Sequence, residues 1–241
     1  MKRLTILVLS ILWGIFSIQS AFAGPFGIDM GMSLADLKQV CKTIPKHIED
    51  NIYEITPPKT NDMFKKYIVR IDSDYGVYWM KAIGKDVYTN DYGTELRSAF
   101  SRLVESISKT YGKESYIEDN VQSGSIWDDA KHFMMALLKG DRELYAMWSK
   151  QYDLTMELFS DPVFLEKIGS TTEEEREKML SDTTFIKNLL IEKVSEYQKL
   201  PDDISSIGIF AYALSSSMGY VSLEYSFSNG IAVQEKADSV F

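Results

Sequence analysis

The sequence predicts an α+β fold, an antiparallel sheet with packed amphipathic helices and an inserted helical segment. Three observations carry that expectation. Val221, Leu223, Tyr225 and Phe227 alternate with Ser222, Glu224 and Ser226, the period of a strand with one buried and one solvated face, as in antiparallel sheets. Leu96, Phe100, Leu103, Val104, Ile107 and Tyr111 recur at spacings that place them on one helix face. Strand-like and helix-like segments follow each other too irregularly for a βαβ repeat, which favours α+β over α/β.

Taken in order, residues 26–31 read as a short strand. Ser33 and Asp36 have capping-box spacing, with Asp in place of the usual Glu, and predict a helix over 34–42 that Pro45 blocks. β-like segments follow at 52–56, 64–72 and 77–84. The last two are joined by Ser73-Asp74-Tyr75-Gly76, which suits a hairpin. The periodic stretch ending at Tyr111 stops at Gly112, and the polar stretch 113–125 reads as a loop. A shorter helix is expected over 128–139 with Gly140 as its stop, then strands at 142–149 and 154–160.

Residues 161–200 differ in texture. Asp161-Pro162 opens one helix. Thr171 and Glu174 form a capping box for a second, with Glu173, Glu174 and Glu175 beside its dipole. Asp182 caps a third, whose stripe is Ile186, Leu190, Val194 and Tyr197. A helical insertion between strands is the expectation. Strands return at 204–214 and 220–227, and the polar tail after Asn229 is expected to fray.

The first residues read as an export signal. Lys2 and Arg3 precede an apolar run from Leu4 to Ile18, and Ala21-Phe22-Ala23 supplies small residues at the cleavage positions. The apolar run is shorter than the roughly 20 residues a spanning helix needs. Residues 1–23 are therefore expected to be a cleavable signal peptide, and 24–241 a single α+β domain with its helical insertion at about 161–200. The mature domain is expected to be soluble, without a membrane span, and periplasmic or secreted.

Charge narrows the partners. Lys2 and Arg3 leave with the leader, so 26 basic side chains become 24 against 35 acids, a formal charge of −11 over 218 residues. Such a chain repels phosphate backbones, and no basic cluster offsets the excess, so no nucleic-acid partner is expected. Hydrophobic residues make up 45%, too many for disorder, and the length suffices to bury a core without staples.

Candidate chemistry is thin. Cys41 is the single cysteine. It sits in an amphipathic pattern with Leu34, Leu37 and Val40 and reads as a core residue. His132 and Asp128, four residues apart, fit an exposed pair on one helix face better than a base and its orienter, because no nucleophile motif accompanies them. Asp72-x-Asp74-x-Gly76 resembles the opening of a calcium loop, but Val77 and Ile83 stand where such a loop needs Gly and Glu. It reads as a turn. Two histidines and one cysteine supply a transition metal poorly, so neither metal nor cofactor is expected. The candidate binding group is aromatic: Tyr75, Tyr78, Trp79, Tyr88 and Tyr92. Such side chains stack on sugars or anchor a protein partner, and equally serve as strand residues shared between core and rim.

Several segments together resemble a family of uncharacterised exported bacterial proteins, a domain of unknown function. They are Pro25-Phe26-Gly27 through Gly31-Met32-Ser33, Lys81-Ala82-Ile83-Gly84-Lys85-Asp86, Tyr92-Gly93-Thr94-Glu95-Leu96, Tyr111-Gly112-Lys113, Gly124-Ser125-Ile126-Trp127, and Gly219-Tyr220 through Ser228-Asn229. The resemblance spans most of the mature chain. It implies an exported α+β protein and transfers no catalytic residue. The expected function is a non-enzymatic binding or interaction protein of the cell envelope, with an envelope protein or glycan as partner. The alternatives are an envelope glycan or peptide hydrolase using dispersed carboxylates, and a partner-docking role for the 161–200 helices.

Overall fold

A computed structural model describes residues 24–149, Thr172 and residues 200–239. The expected signal peptide, the expected strand at 154–160 and, but for Thr172 and Leu200, the helical insertion lie outside the described residues. In chain order the elements are α1 (Leu34–Val40), β1 (Lys46–Glu49), β2 (Ile52–Ile55), β3 (Phe64–Asp72), β4 (Gly76–Gly84), β5 (Val87–Tyr88), α2 (Thr94–Tyr111), β6 (Tyr116–Val121), α3 (Phe133–Lys139), β7 (Arg142–Ser149), β8 (Ile204–Ser215), β9 (Met218–Phe227) and α4 (Gly230–Asp238). The strands form one antiparallel sheet in the order β1-β2-β3-β4-β9-β8-β7-β6, and β5 pairs with β9 beyond the end of β4. The α+β class is thus the observed one.

Alternation decides which side chains make the core. Val69, Met80, Ala82, Leu144, Ala146, Trp148, Ile207, Ile209, Leu223 and Tyr225 all point to one face and are buried. Over β7–β9 that face is covered by α2 and α3. The predicted stripe of α2 does the covering, with Leu96, Phe100, Leu103, Val104 and Ile107 buried. The fully buried Trp148 donates its indole N–H to the Gly112 carbonyl at 2.9 Å, tying the end of α2 to the sheet. Over β3 and β9 the cover is the N-terminal segment, whose Phe26 ring lies 5.6, 5.0 and 6.3 Å from those of Phe64, Tyr67 and Tyr225.

Local signals hold at many boundaries. Ser33 caps α1 as predicted, with Asp36 N–H donating to Ser33 Oγ at 3.2 Å and Ser33 N–H to Asp36 Oδ2 at 2.9 Å. Gly112 and Gly140 end their helices with positive φ. Asp72 opens the β3–β4 turn by accepting from the N–H groups of Asp74 and Tyr75. Gly76 is required there. Its φ is +67°, and a Cβ would fall 2.1 Å from the Gly31 carbonyl oxygen. That close approach lets Gly31 N–H donate to Val77 O, and Val77 N–H to Met32 O, each at 2.9 Å.

Four expectations are corrected. Residues 26–31 are not a strand: Pro25–Gly27 form a 3-10 turn with Phe26 at φ +57°, which swings the Phe26 ring into the core. The polar stretch 113–125 holds β6, paired along its length with β7. Most of its positions are exposed, so it lacks the alternation of a half-buried strand. The helix expected over 128–139 begins only at Phe133, after a 3-10 turn at Ala130–His132. Asp128 and His132 therefore do not share a helix face. The described tail after Asn229 is helical over Gly230–Asp238 rather than frayed. Asn229 Nδ2 holds its start by donating to Tyr75 O at 2.8 Å and Val77 O at 3.0 Å, and Lys236 binds Asp72 at 3.1 Å and Asp74 at 2.6 Å.

Candidate functional site

The face of the sheet opposite the core carries a different chemistry. On β7, β8 and β9 the side chains that alternate with the core residues include Tyr145, Phe210, Tyr212 and Tyr220, all half-buried. Register sets them side by side, since Tyr145 pairs with Phe210 and Tyr212 with Tyr220. Ring centroids step 5.8 Å from Tyr145 to Phe210, 6.5 Å to Tyr212 and 5.0 Å to Tyr220, with interplanar angles of 23°, 36° and 20°. At the β6 edge Tyr116 meets Tyr145 edge-on at 5.6 Å, their hydroxyls 3.4 Å apart. An aromatic ladder thus crosses four strands.

Two cations flank it. Lys81 Nζ lies 5.0 Å from the Tyr212 ring and Lys65 Nζ 5.8 Å from that of Tyr220. Lys81 also pairs with Glu224 at 2.7 Å. Desolvation pulls the Lys81 ammonium down, but the bond to Glu224, its charge and Tyr212 together outweigh it and hold it above the ordinary lysine value. The Tyr145 hydroxyl is pushed up to about 12 by its hydrogen bond to Tyr116, by desolvation and by the nearby charges of Glu118 and Glu143. It stays a neutral hydrogen-bonding group across physiological pH.

One end of the ladder borders a groove of about 810 Å³, in the size range of ligand sites. It arises because β7 and β8 part company. Their pairing runs from Ser149–Ser206 to Tyr145–Phe210 and stops, while β7 continues beside β6 to Arg142 and β8 beside β9 to Ser215. Tyr145, Phe210 and Tyr212 wall the opening, Leu137 and Leu138 of α3 line it, and Lys139, Arg142 and Glu143 are its charged residues. Arg142 is committed to Asp119 and lies 5.0 Å from the Phe133 ring.

The residues singled out from sequence fall in two places. Trp79 projects from the open face beneath the Arg70 guanidinium, 4.9 Å from it. Tyr78 accepts a hydrogen bond from Asn51 at 2.8 Å. Both line a cleft of about 310 Å³ together with Arg70, Gly230, Ile231 and Gln234. Tyr75 sits on the adjoining turn with Lys236 5.9 Å from its ring. Tyr88 and Tyr92, 76% and 53% exposed, stand elsewhere. The β9 partners of Trp79 and Tyr88 are Ser226 and Met218, about 27 Å apart at ~3.4 Å per residue. The group is not one surface. The ladder was missed because its members are distant in sequence. Its only local trace is an aromatic at the outward position of three strands.

Other candidates take structural places. Cys41 is half-buried against the core, and burial raises its thiol above the ordinary value. His132 presents its ring edge-on to Trp127 at 5.4 Å, and His47 Nε2 lies 2.9 Å from the Asp50 carbonyl. Among the described residues no group of three or more His, Cys, Asp or Glu is placed to hold a metal ion, and no helix is long and apolar enough to cross a membrane. No family model, curated protein or solved structure matches the chain.

Proposed function

We propose that this protein is an exported, non-enzymatic binding protein of the cell envelope, which recognises its partner through the aromatic ladder and the adjoining groove. The single observation that carries the reading is the continuity of Tyr116, Tyr145, Phe210, Tyr212 and Tyr220 across four strands, ending in a concave site. Rings held by cross-strand contacts are rigid anchors and lose little entropy on binding. The export half of the proposal is supported by the signal-peptide pattern of residues 1–23.

A hydrolase acting through carboxylates is the less favoured reading. Glycoside hydrolysis needs two carboxyl groups about 5–9 Å apart, and Glu143 is the one carboxylate among the described residues lining the groove.

The test has two arms. Cell fractionation of the full chain should place a shortened product in the exported fraction, and a product of full length retained in the cytoplasm would remove the export half. Co-purification from native envelope with wild type and with a Tyr145→Ala/Tyr212→Ala variant should show partners lost in the variant at unchanged folding. Identical partners would refute the ladder as the recognition surface.

A further inference from the structure

We propose that the fork between β7 and β8 seats an extended segment of another protein chain, held by strand addition to the free edge of β8. This rests on the binding reading above and adds the chemistry of the ligand.

Arg142–Leu144 and Ala211–Ser215 are strand residues with partners on their outer sides, β6 and β9, and no ladder between them. In an antiparallel strand, main-chain N–H and C=O groups are directed alternately to either side. The fork is therefore bordered by two strand edges, and beyond the Tyr145–Phe210 pair no β7–β8 ladder pair joins their inward-facing polar groups. Backbone donors and acceptors demand partners, which water supplies while the groove is empty. A sugar or a flat aromatic ligand stacks on the rings and leaves those groups to water. A polypeptide offers them the repeat of N–H and C=O that they lack.

Side-chain chemistry agrees with an extended peptide. Strand addition draws affinity from main-chain bonds and specificity from pockets for alternate side chains. Here one side of the groove is aromatic, with Tyr145, Phe210 and Tyr212, and Leu137 and Leu138 of α3 line it as well. Because β7 and β8 are antiparallel to each other, a strand between them is antiparallel to only one. β8 has the longer free edge, and antiparallel pairing is the more stable, so the peptide runs opposite to β8 and is stopped by the Tyr145–Phe210 pair. Lys139, where α3 hands over to β7, has no ion pair among the described residues. It favours an acidic side chain at the open end of the fork.

The experiment uses the protein purified after expression of the full chain. A random heptapeptide display library is selected against it. The best peptide is synthesised unmodified and with single N-methyl groups at successive amides, and binding is measured by calorimetry. Hydrogen exchange is followed with and without peptide. The expected result is about tenfold or greater weakening by N-methylation at alternate positions with little effect between them, and new amide protection within 142–144 and 211–215. Failure to select a peptide, insensitivity to N-methylation, or protection confined to other strands overturns the proposal. Soluble peptidoglycan disaccharide fragments separate the two readings. If peptides fail but a fragment binds wild type and not Tyr212→Ala, the ladder stands as a binding surface and the peptide inference falls. If neither binds, both fall.

Discussion

The two faces of the one sheet are built from the same strands and do opposite things. On the covered face Trp148, Ala146, Ile207, Ile209 and Leu223 are buried to a few per cent exposure or less. One residue away in each strand, Tyr145, Phe210, Tyr212, Glu224 and Lys81 remain partly accessible. The first set is aliphatic apart from Trp148, whose polar atom is satisfied by Gly112. The second mixes rings with paired charges. Stability is concentrated on one face, which leaves the other free to carry groups that a core would not tolerate.

That division can be broken by experiment. The largest effect is expected on the covered face: Trp148→Ala removes a fully buried side chain and its hydrogen bond and should cost about 3–5 kcal/mol, read from denaturant unfolding. On the open face Tyr212→Ala removes a half-buried ring stacked on Tyr220 and should cost only about 1 kcal/mol while weakening partner capture. Equal losses from the two substitutions would mean that the open face is a second core.

Two smaller effects depend on pH. Lys81 is held above the ordinary lysine value in the folded state. Its contribution to stability is complete below that ordinary value and is lost as pH rises through the raised one. Glu224→Gln should therefore flatten the alkaline loss of melting temperature above about pH 10. An alkaline limb unchanged in Glu224→Gln would show that this ion pair does not support the open face. Away from the ladder, Asp72 is lowered by the N–H of Asp74 and, against some desolvation, by Lys236. Its contribution is present above the ordinary aspartate value and lost as pH falls through the lowered one. Asp72→Asn should shrink the drop in melting temperature between pH 7 and about pH 3, the smallest change of the set. If the drop is undiminished, the contact between α4 and the β3–β4 turn does not depend on charge.

Legibility followed the range of the interactions. The stripe of α2, the cap at Ser33 and the turn at Asp72–Gly76 were readable because each is settled within a few residues. β6 was not, because a strand exposed at most of its positions has no hydrophobic period to display. α4 was not, because its start is held by Asn229 bonding to carbonyls of Tyr75 and Val77, a contact across most of the chain. Among candidate residues, Tyr78 and Trp79 were readable as partly exposed strand aromatics. That they sit far from Tyr88 was not, because β5 joins β9 beyond the end of β4.

By itself the sequence determined the period of α2 and the alternation of β9, and with them the α+β class and the side of β9 that faces the core, since alternation is a local property of the chain. Only the tertiary structure decided which outward residues become neighbours. Tyr145 meets Phe210, and Tyr212 meets Tyr220, through pairing registers between strands distant in sequence. The groove exists because one of those pairings stops short while both strands run on.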